Sequence, residues 1–93
     1  MLLIIGVICI EHLNNTEIAF RIVAIDSNLK NLGYGTHLIR QAEDIVRTRN
    51  CKKILLHAYV GSYNFYQSLG YIDMEFNENN KAFEQSIDMG KLL

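Results

Sequence analysis

The sequence predicts an α/β (α+β) fold, a mixed sheet with two packed helices in the order ββαβαββ. Three observations carry this expectation. Apolar residues at helical spacing (Leu38, Ile39, Ala42, Ile45 and Val46) mark the stretch from Tyr34 to about Arg49. Apolar runs of strand length stand on either side of it, "IAFRIVAID" from Ile18 and "KKILLHAY" from Lys52. The tail alternates Phe83, Gln85, Ile87 and Met89 against Glu84, Ser86, Asp88 and Gly90, the period of a strand.

The elements follow in chain order. "MLLIIGVICI" stops at Glu11, short of the roughly 18 to 20 apolar residues of a membrane span, and lacks the basic start of a signal peptide. It reads as a strand buried on both faces and running to about Leu13. Asn14 to Glu17 form a hairpin turn, because asparagine tolerates left-handed backbone. In the second strand Ile18, Phe20, Ile22 and Ala24 share one face, and Ala19, Arg21, Val23 and Ile25 the other. Its end is apolar on both sides and therefore interior.

On the helix, Arg40 with Asp44 and Glu43 with Arg47 read as i,i+4 pairs on the solvated side, and Asn50 as a left-handed stop. A strand that leads through a helix into another strand predicts a parallel pair joined by a right-handed crossover. Ser62 is placed to cap a short second helix through Leu69, with Gly70 as its terminator. Tyr71 to Phe76 alternate as a strand, "NENNK" turns, and the tail returns antiparallel.

Composition limits the partners. Ninety-three residues suit one domain and leave a homodimer open as support for a small core. Nine Lys and Arg against ten Asp and Glu give no positive field to gather a polyanion, so nucleic acid is not expected. Cys9 and Cys51 have no metal or redox spacing, which predicts two reduced cysteines in a cytoplasmic protein. His12, His37 and His57 have no ligand spacing either, so no metal is expected.

"KNLGYGTHL", Lys30 to Leu38, puts Gly33 and Gly35 between the end of an apolar strand and a helix start. Converging backbone N–H groups and the helix dipole favour an anion there, and glycine removes the Cβ that would hold it off. Lys30 adds a mobile positive charge. No P-loop spacing is present, and the third glycine of a dinucleotide motif would have to be at Leu38. By itself the segment is either a ligand loop or a turn.

At this point the chain resembles the GCN5-related N-acetyltransferase family. In that family a strand like "VAID" leads into a Q/R-x-x-G-x-G/A loop, here Lys30-Asn31-Leu32-Gly33-Tyr34-Gly35. "LHAYVGSYNFYQSLGY" resembles the second signature, with Phe65, Tyr66, Gly70 and Tyr71 in register, and "IDMGKLL" the closing strand. The resemblance runs from about Leu3 to Leu92.

It implies a sheet in which the strand before the loop splays from its parallel neighbour and the pantetheine arm of acetyl-CoA enters the gap. Val23 and Ile25 would meet the pantetheine, and Lys30, Asn31, Leu32, Gly33, Tyr34, Gly35 and Thr36 would cradle the phosphates. The activity implied is direct acetyl transfer to a small-molecule or protein amine. Tyr66 would be the general acid toward the leaving sulfur, since a phenol of pKa about 10 stays protonated at neutral pH. Its bland alternative is an aromatic packed on the sheet, a part that Tyr63 and Phe65 could equally fill.

The oxyanion donor would be a strand amide near Val23 or Ala24. His57 and Glu11 are the candidate bases, although a single strand histidine is more often a packed, hydrogen-bonded residue. Lys30 stands where relatives carry Gln or Arg, Asn31 replaces a frequent glycine, Tyr59 an Asn, and Ser86 a His found in some. Larger members begin with another strand and two helices that wall the acceptor site, so the acceptor site here is expected to be open, shared or absent. The rival expectation is a non-catalytic acyl-CoA-binding or protein-interaction module.

Overall fold

The computed structural model describes residues 6–25, 33–78 and 85–93, with no side chains described for 22–25. The order is β1 (Gly6–His12), β2 (Glu17–Ile25), α1 (Tyr34–Thr48), β3 (Lys53–Tyr59), α2 (Tyr63–Ser68), β4 (Ile72–Asp73) and β5 (Ser86–Leu92). This is the expected ββαβαββ. A single turn of 3-10 helix, Val60–Ser62, leads into α2. The strands among the described residues form one sheet in the order β1-β2-β3-β5-β4, in which only β2 and β3 are parallel.

Both helices contribute to one core. Ile39, Ala42 and Val46 of α1 and Tyr66 of α2, with Leu69 just after it, join Ile18, Phe20, Ile54, Leu56, Ala58 and Met89 from the sheet. Full burial of each aliphatic side chain contributes about 1.5–3 kcal/mol against leaving it in water. The opposite face holds a smaller cluster of Ala19, Leu55 and Phe76, with Leu13 and Met74 packed on it. Phe76 and Met74 come from the segment after β4, which crosses that face.

The punctuation explains the boundaries. Asn50 takes φ 60° and Gly70 φ 95°, both left-handed and both where a helix was expected to stop. Around Asn50 the amides of Arg49, Asn50 and Cys51 turn back onto the carbonyls of Val46 and Arg47. Asn14 works differently from the expectation. Its side-chain oxygen accepts hydrogen bonds from the Thr16 and Glu17 amides at 3.0 Å each, an Asx turn that does not need a left-handed residue.

Four expectations need correction. β1 is an edge strand covered on one face: Ile8 and Ile10 pack on the core, whereas Val7 and Cys9 are exposed. An apolar run reports strand character but not how many faces are covered. The strand expected over Tyr71 to Phe76 is reduced to β4 because the Asp88 carboxylate replaces the ladder. Met74 N still donates to the Asp88 carbonyl at 3.0 Å, but Phe76 N donates to Asp88 Oδ2 at 3.1 Å. Glu43 is not on the solvated side of α1 but wholly buried, and the ion pairs of α1 are Arg40–Glu43 and Arg47–Asp44 at i,i+3. Ile45, expected in the buried stripe, is half exposed.

Candidate active site

The parallel pair comes apart. β2 and β3 are in register from Glu17 with Lys53 to Phe20 with Leu56, and the pairing ends there. Beyond that point β2 stays with β1 (Val23 opposite Ile8, Ile25 opposite Gly6), while β3 stays with β5 (His57 opposite Asp88, Tyr59 opposite Ser86). The result is a fork, and the splay expected of this pair is observed.

A cavity of about 110 Å³ occupies the crotch of the fork, lined by Phe20, Arg21, Leu56, His57, Tyr59, Ser62 and Tyr66. Another, of about 120 Å³, lies toward the opposite end of β2 and is lined by four aliphatic side chains with His12 and Arg49. No cluster of chemically active groups converges on that one.

The glycine segment follows β2 along the chain. Lys30, Asn31 and Leu32 lie outside the described residues. Gly33, at the N-cap of α1, takes φ 84°, and a Cβ built on it would meet nothing within 4 Å. The first α-helical bond runs from His37 N to the Gly33 carbonyl at 3.1 Å. The amides of Tyr34, Gly35 and Thr36 therefore precede the ladder, and neither a side-chain cap nor an acidic residue occupies the first turn. That is chemistry suited to an anion. From Phe20, at the crotch, to Ile25, the last residue of β2, the strand runs about 16 Å.

Tyr66 faces the crotch from α2. It is 7% exposed, meets Phe65 and Tyr71 edge to face, and burial pushes its phenol up to about 12. Tyr63 instead gives its hydroxyl proton to Asp73 at 2.7 Å, and Phe65 packs at the edge of the core. Of these three neighbouring aromatics only Tyr66 lines the crotch cavity.

Polar side chains meet on the opposite face of the fork. His57 is buried, with Nδ1 2.9 Å from Asp88 Oδ1 and Nε2 2.7 Å from Glu78 Oε1. Its ring stacks on Phe76 at 4.4 Å. The Arg21 guanidinium lies 5.4 Å from the same Phe76 ring, donates to both oxygens of Glu78, and reaches Glu11 Oε2 at 3.1 Å. Hydrogen bonds from Arg21 are the main reason that Glu78 titrates below the ordinary carboxylate range. Glu11, the other candidate base, is thus an exposed partner of Arg21.

Sequence reading did not single out Arg21, Glu78 or Asp88. The visible signal was a charge on an otherwise apolar face at Arg21, whereas Asp88 fell on the polar face of the tail strand. Glu78 sat in a stretch read as a turn.

Comparison with known proteins gives a consistent picture. Residues 4–71 match the acetyltransferase (GNAT) family. The chain is 40% identical over 58 residues to YxbD of Bacillus subtilis strain 168, covering 59% of this chain and 36% of that protein. It superposes on Ard1 from Thermoplasma volcanium with a TM-score of 0.82 at 18% identity, covering 96% of this chain and 63% of that one. The PaiA N-acetyltransferase from Thermoplasma acidophilum, solved with coenzyme A, gives a TM-score of 0.80 at 16% identity, covering 96% and 54%. The chain thus spans about a third of YxbD and between half and two thirds of these two structures.

Proposed function

The chain belongs to the acetyltransferase (GNAT) family, and from that premise we propose that it transfers an acetyl group from acetyl-CoA directly to an amine. The observation that carries this reading is the fork, whose closed end is met by a buried tyrosine, and the next element along the chain is an uncapped glycine-bearing helix start. The structural relative bound to coenzyme A shares this fold.

In this reading Gly33, Tyr34, Gly35 and Thr36, with Lys30, Asn31 and Leu32 before them, hold the phosphates. Val23 and Ile25 run beside the pantetheine, and a strand amide at Val23 or Ala24 meets the acyl oxygen. The thioester supplies an activated acyl carbon. Tyr66 keeps a proton on its hydroxyl at neutral pH, because burial disfavours the phenolate, and can give it to a departing thiolate. The amine must arrive neutral; as the new C–N bond forms and the C–S bond breaks, the proton it loses returns to the Tyr66 oxygen or passes to solvent.

A second reading, a CoA-binding module without turnover, is favoured by one observation: both nitrogens of His57 are engaged by carboxylates, which takes away the expected base. The two free cysteines agree with a reducing, cytoplasmic setting, and no helix among the described residues is long and apolar enough to cross a membrane. A homodimer remains part of the reading and is open to sedimentation analysis.

Calorimetric titration with acetyl-CoA, desulfo-CoA and ATP tests the proposal. Saturable binding of the two CoA compounds and not of ATP is expected, and Gly35→Val should abolish it while the circular dichroism stays that of the wild type. A folded protein that binds no CoA compound would overturn the assignment. Binding without turnover against a panel of amines would leave the second reading.

A further inference from the structure

Arg21 and His57 are the first residues beyond the last paired positions of β2 and β3, one on each arm of the fork. A single carboxylate joins them. Glu78 accepts from both Arg21 terminal nitrogens through its two oxygens, and its Oε1 also lies 2.7 Å from His57 Nε2. Phe76, two residues earlier, lies under both partners, stacked on His57 and facing the guanidinium. Asp88 fixes the far side of His57 and the amide of Phe76. The strap from Met74 to Glu78 is therefore fastened across the crotch, and both arms are held through Glu78.

Resting on the acyl-CoA reading above, we infer that Glu78 is a positioning residue that sets the width of the crotch and so limits the acyl group to a short one. The volume argues for this. A dry cavity of about 150 Å³ accommodates benzene, with six heavy atoms. The crotch holds about 110 Å³, a fit for an acetyl or propionyl head, and a longer acyl chain has to leave it past polar Arg21, His57 and Ser62. Two of its seven lining residues, Arg21 and His57, are held in place by Glu78. Releasing the carboxylate frees the arms to part at the point where an acyl chain would end. The free amides at the start of α1 make no bond to Glu78.

The experiment is calorimetric titration of wild type, Glu78→Gln and Arg21→Lys with free CoA, acetyl-CoA and octanoyl-CoA. Wild type should bind acetyl-CoA at least about tenfold more tightly than octanoyl-CoA, in line with the penalty for methylenes that a pocket of this size does not hold. Glu78→Gln keeps the side-chain shape but loses the charge that holds both arms. It should bring that ratio within about threefold and alter free-CoA affinity by less than about threefold. Arg21→Lys, which cannot make the forked pair, should move the ratio in the same direction and decides the matter if Glu78→Gln does not fold.

General destabilisation would weaken all three ligands together and leave the ratio unchanged. An unchanged ratio in folded variants, or a wild type that accepts both acyl chains equally, overturns the role of Glu78. Failure of wild type to bind free CoA overturns the acyl-CoA reading itself.

Discussion

The phenol of Tyr71 donates a 2.8 Å hydrogen bond to Glu43 Oε2, and neither side chain is exposed to solvent. Lys91 Nζ donates to the same oxygen at 3.0 Å and to the Leu69 carbonyl at 2.9 Å, while Arg40 reaches the other oxygen at 3.2 Å. One carboxylate thus ties α1 to β5 and to Tyr71, three residues past the end of α2. A buried charge is tolerated only when its hydrogen-bonding capacity is filled, and here three donors fill it.

Tyr71→Phe should therefore destabilise the protein by about 1.5–3 kcal/mol, the range for a hydrogen bond to a charged group. Glu43→Ala should cost more, about 3 kcal/mol or above, because it leaves Lys91 without its partner as well as opening a void. Urea denaturation at neutral pH measures both. The double variant should cost less than the sum of the two, since the residues touch. Strict additivity would show that the bond contributes nothing.

Acid sensitivity follows from the same carboxylate. Burial pushes Glu43 upward, but the hydrogen bonds from Tyr71 and Lys91 outweigh it and hold the group below its ordinary value of 4.5. Glu78 is also held low, chiefly by Arg21. A carboxyl lowered in the folded state contributes stability that is present above its unfolded pKa and is lost as pH falls through the folded one. The melting temperature should accordingly be flat above about pH 5 and fall below 4.5. Glu78→Gln should make that fall shallower, and an unchanged slope would show that the Arg21 pair adds no stability.

Residues that signal locally were legible in the sequence, and residues defined by distant partners were not. The order of elements came from period and punctuation, and Asn50 and Gly70 stop the chain through their own backbone freedom. The splay of β2 from β3 was available only through resemblance, because nothing in "AFRIV" marks where pairing ends. Glu43 was misplaced because it was read with Arg40 and Arg47 although it also adjoins the buried Ile39, Ala42 and Val46, and the partners that satisfy its charge lie 28 and 48 residues away. Glu78 is 57 residues from Arg21 and 21 from His57, and no period links them.

Gly33 separates backbone strain from crowding. A Cβ there would meet nothing within 4 Å, yet φ 84° is left-handed. Gly33→Ala should thus cost about 1–2 kcal/mol from conformation alone, and Gly33→Asn less. Thermal denaturation of the pair provides the check. Equal costs would mean that the loop relaxes out of the left-handed state.

Tyr66 links burial to chemistry. Tyr66→Phe removes one hydroxyl from a side chain that is 7% exposed, so stability should change by no more than about 1 kcal/mol. CoA affinity should also persist, because the ring remains. Acetyl transfer, by contrast, should slow by about 100-fold or more if the phenol protonates the leaving sulfur. Its titration supplies an independent readout. A phenol raised in the folded state favours its neutral form: the associated stability is complete below the ordinary value of 10.0 and is lost as pH rises through about 12. Phenolate absorbance should therefore show Tyr66 ionising late, with Tyr71 later still, and Tyr66→Phe should remove the component near 12 while leaving that of Tyr71. The alkaline limb of the wild-type rate should lie near 12 and not near 10. A variant that transfers acetyl as fast as wild type would take Tyr66 out of the chemistry and leave it as core packing, even if its phenol still ionises late.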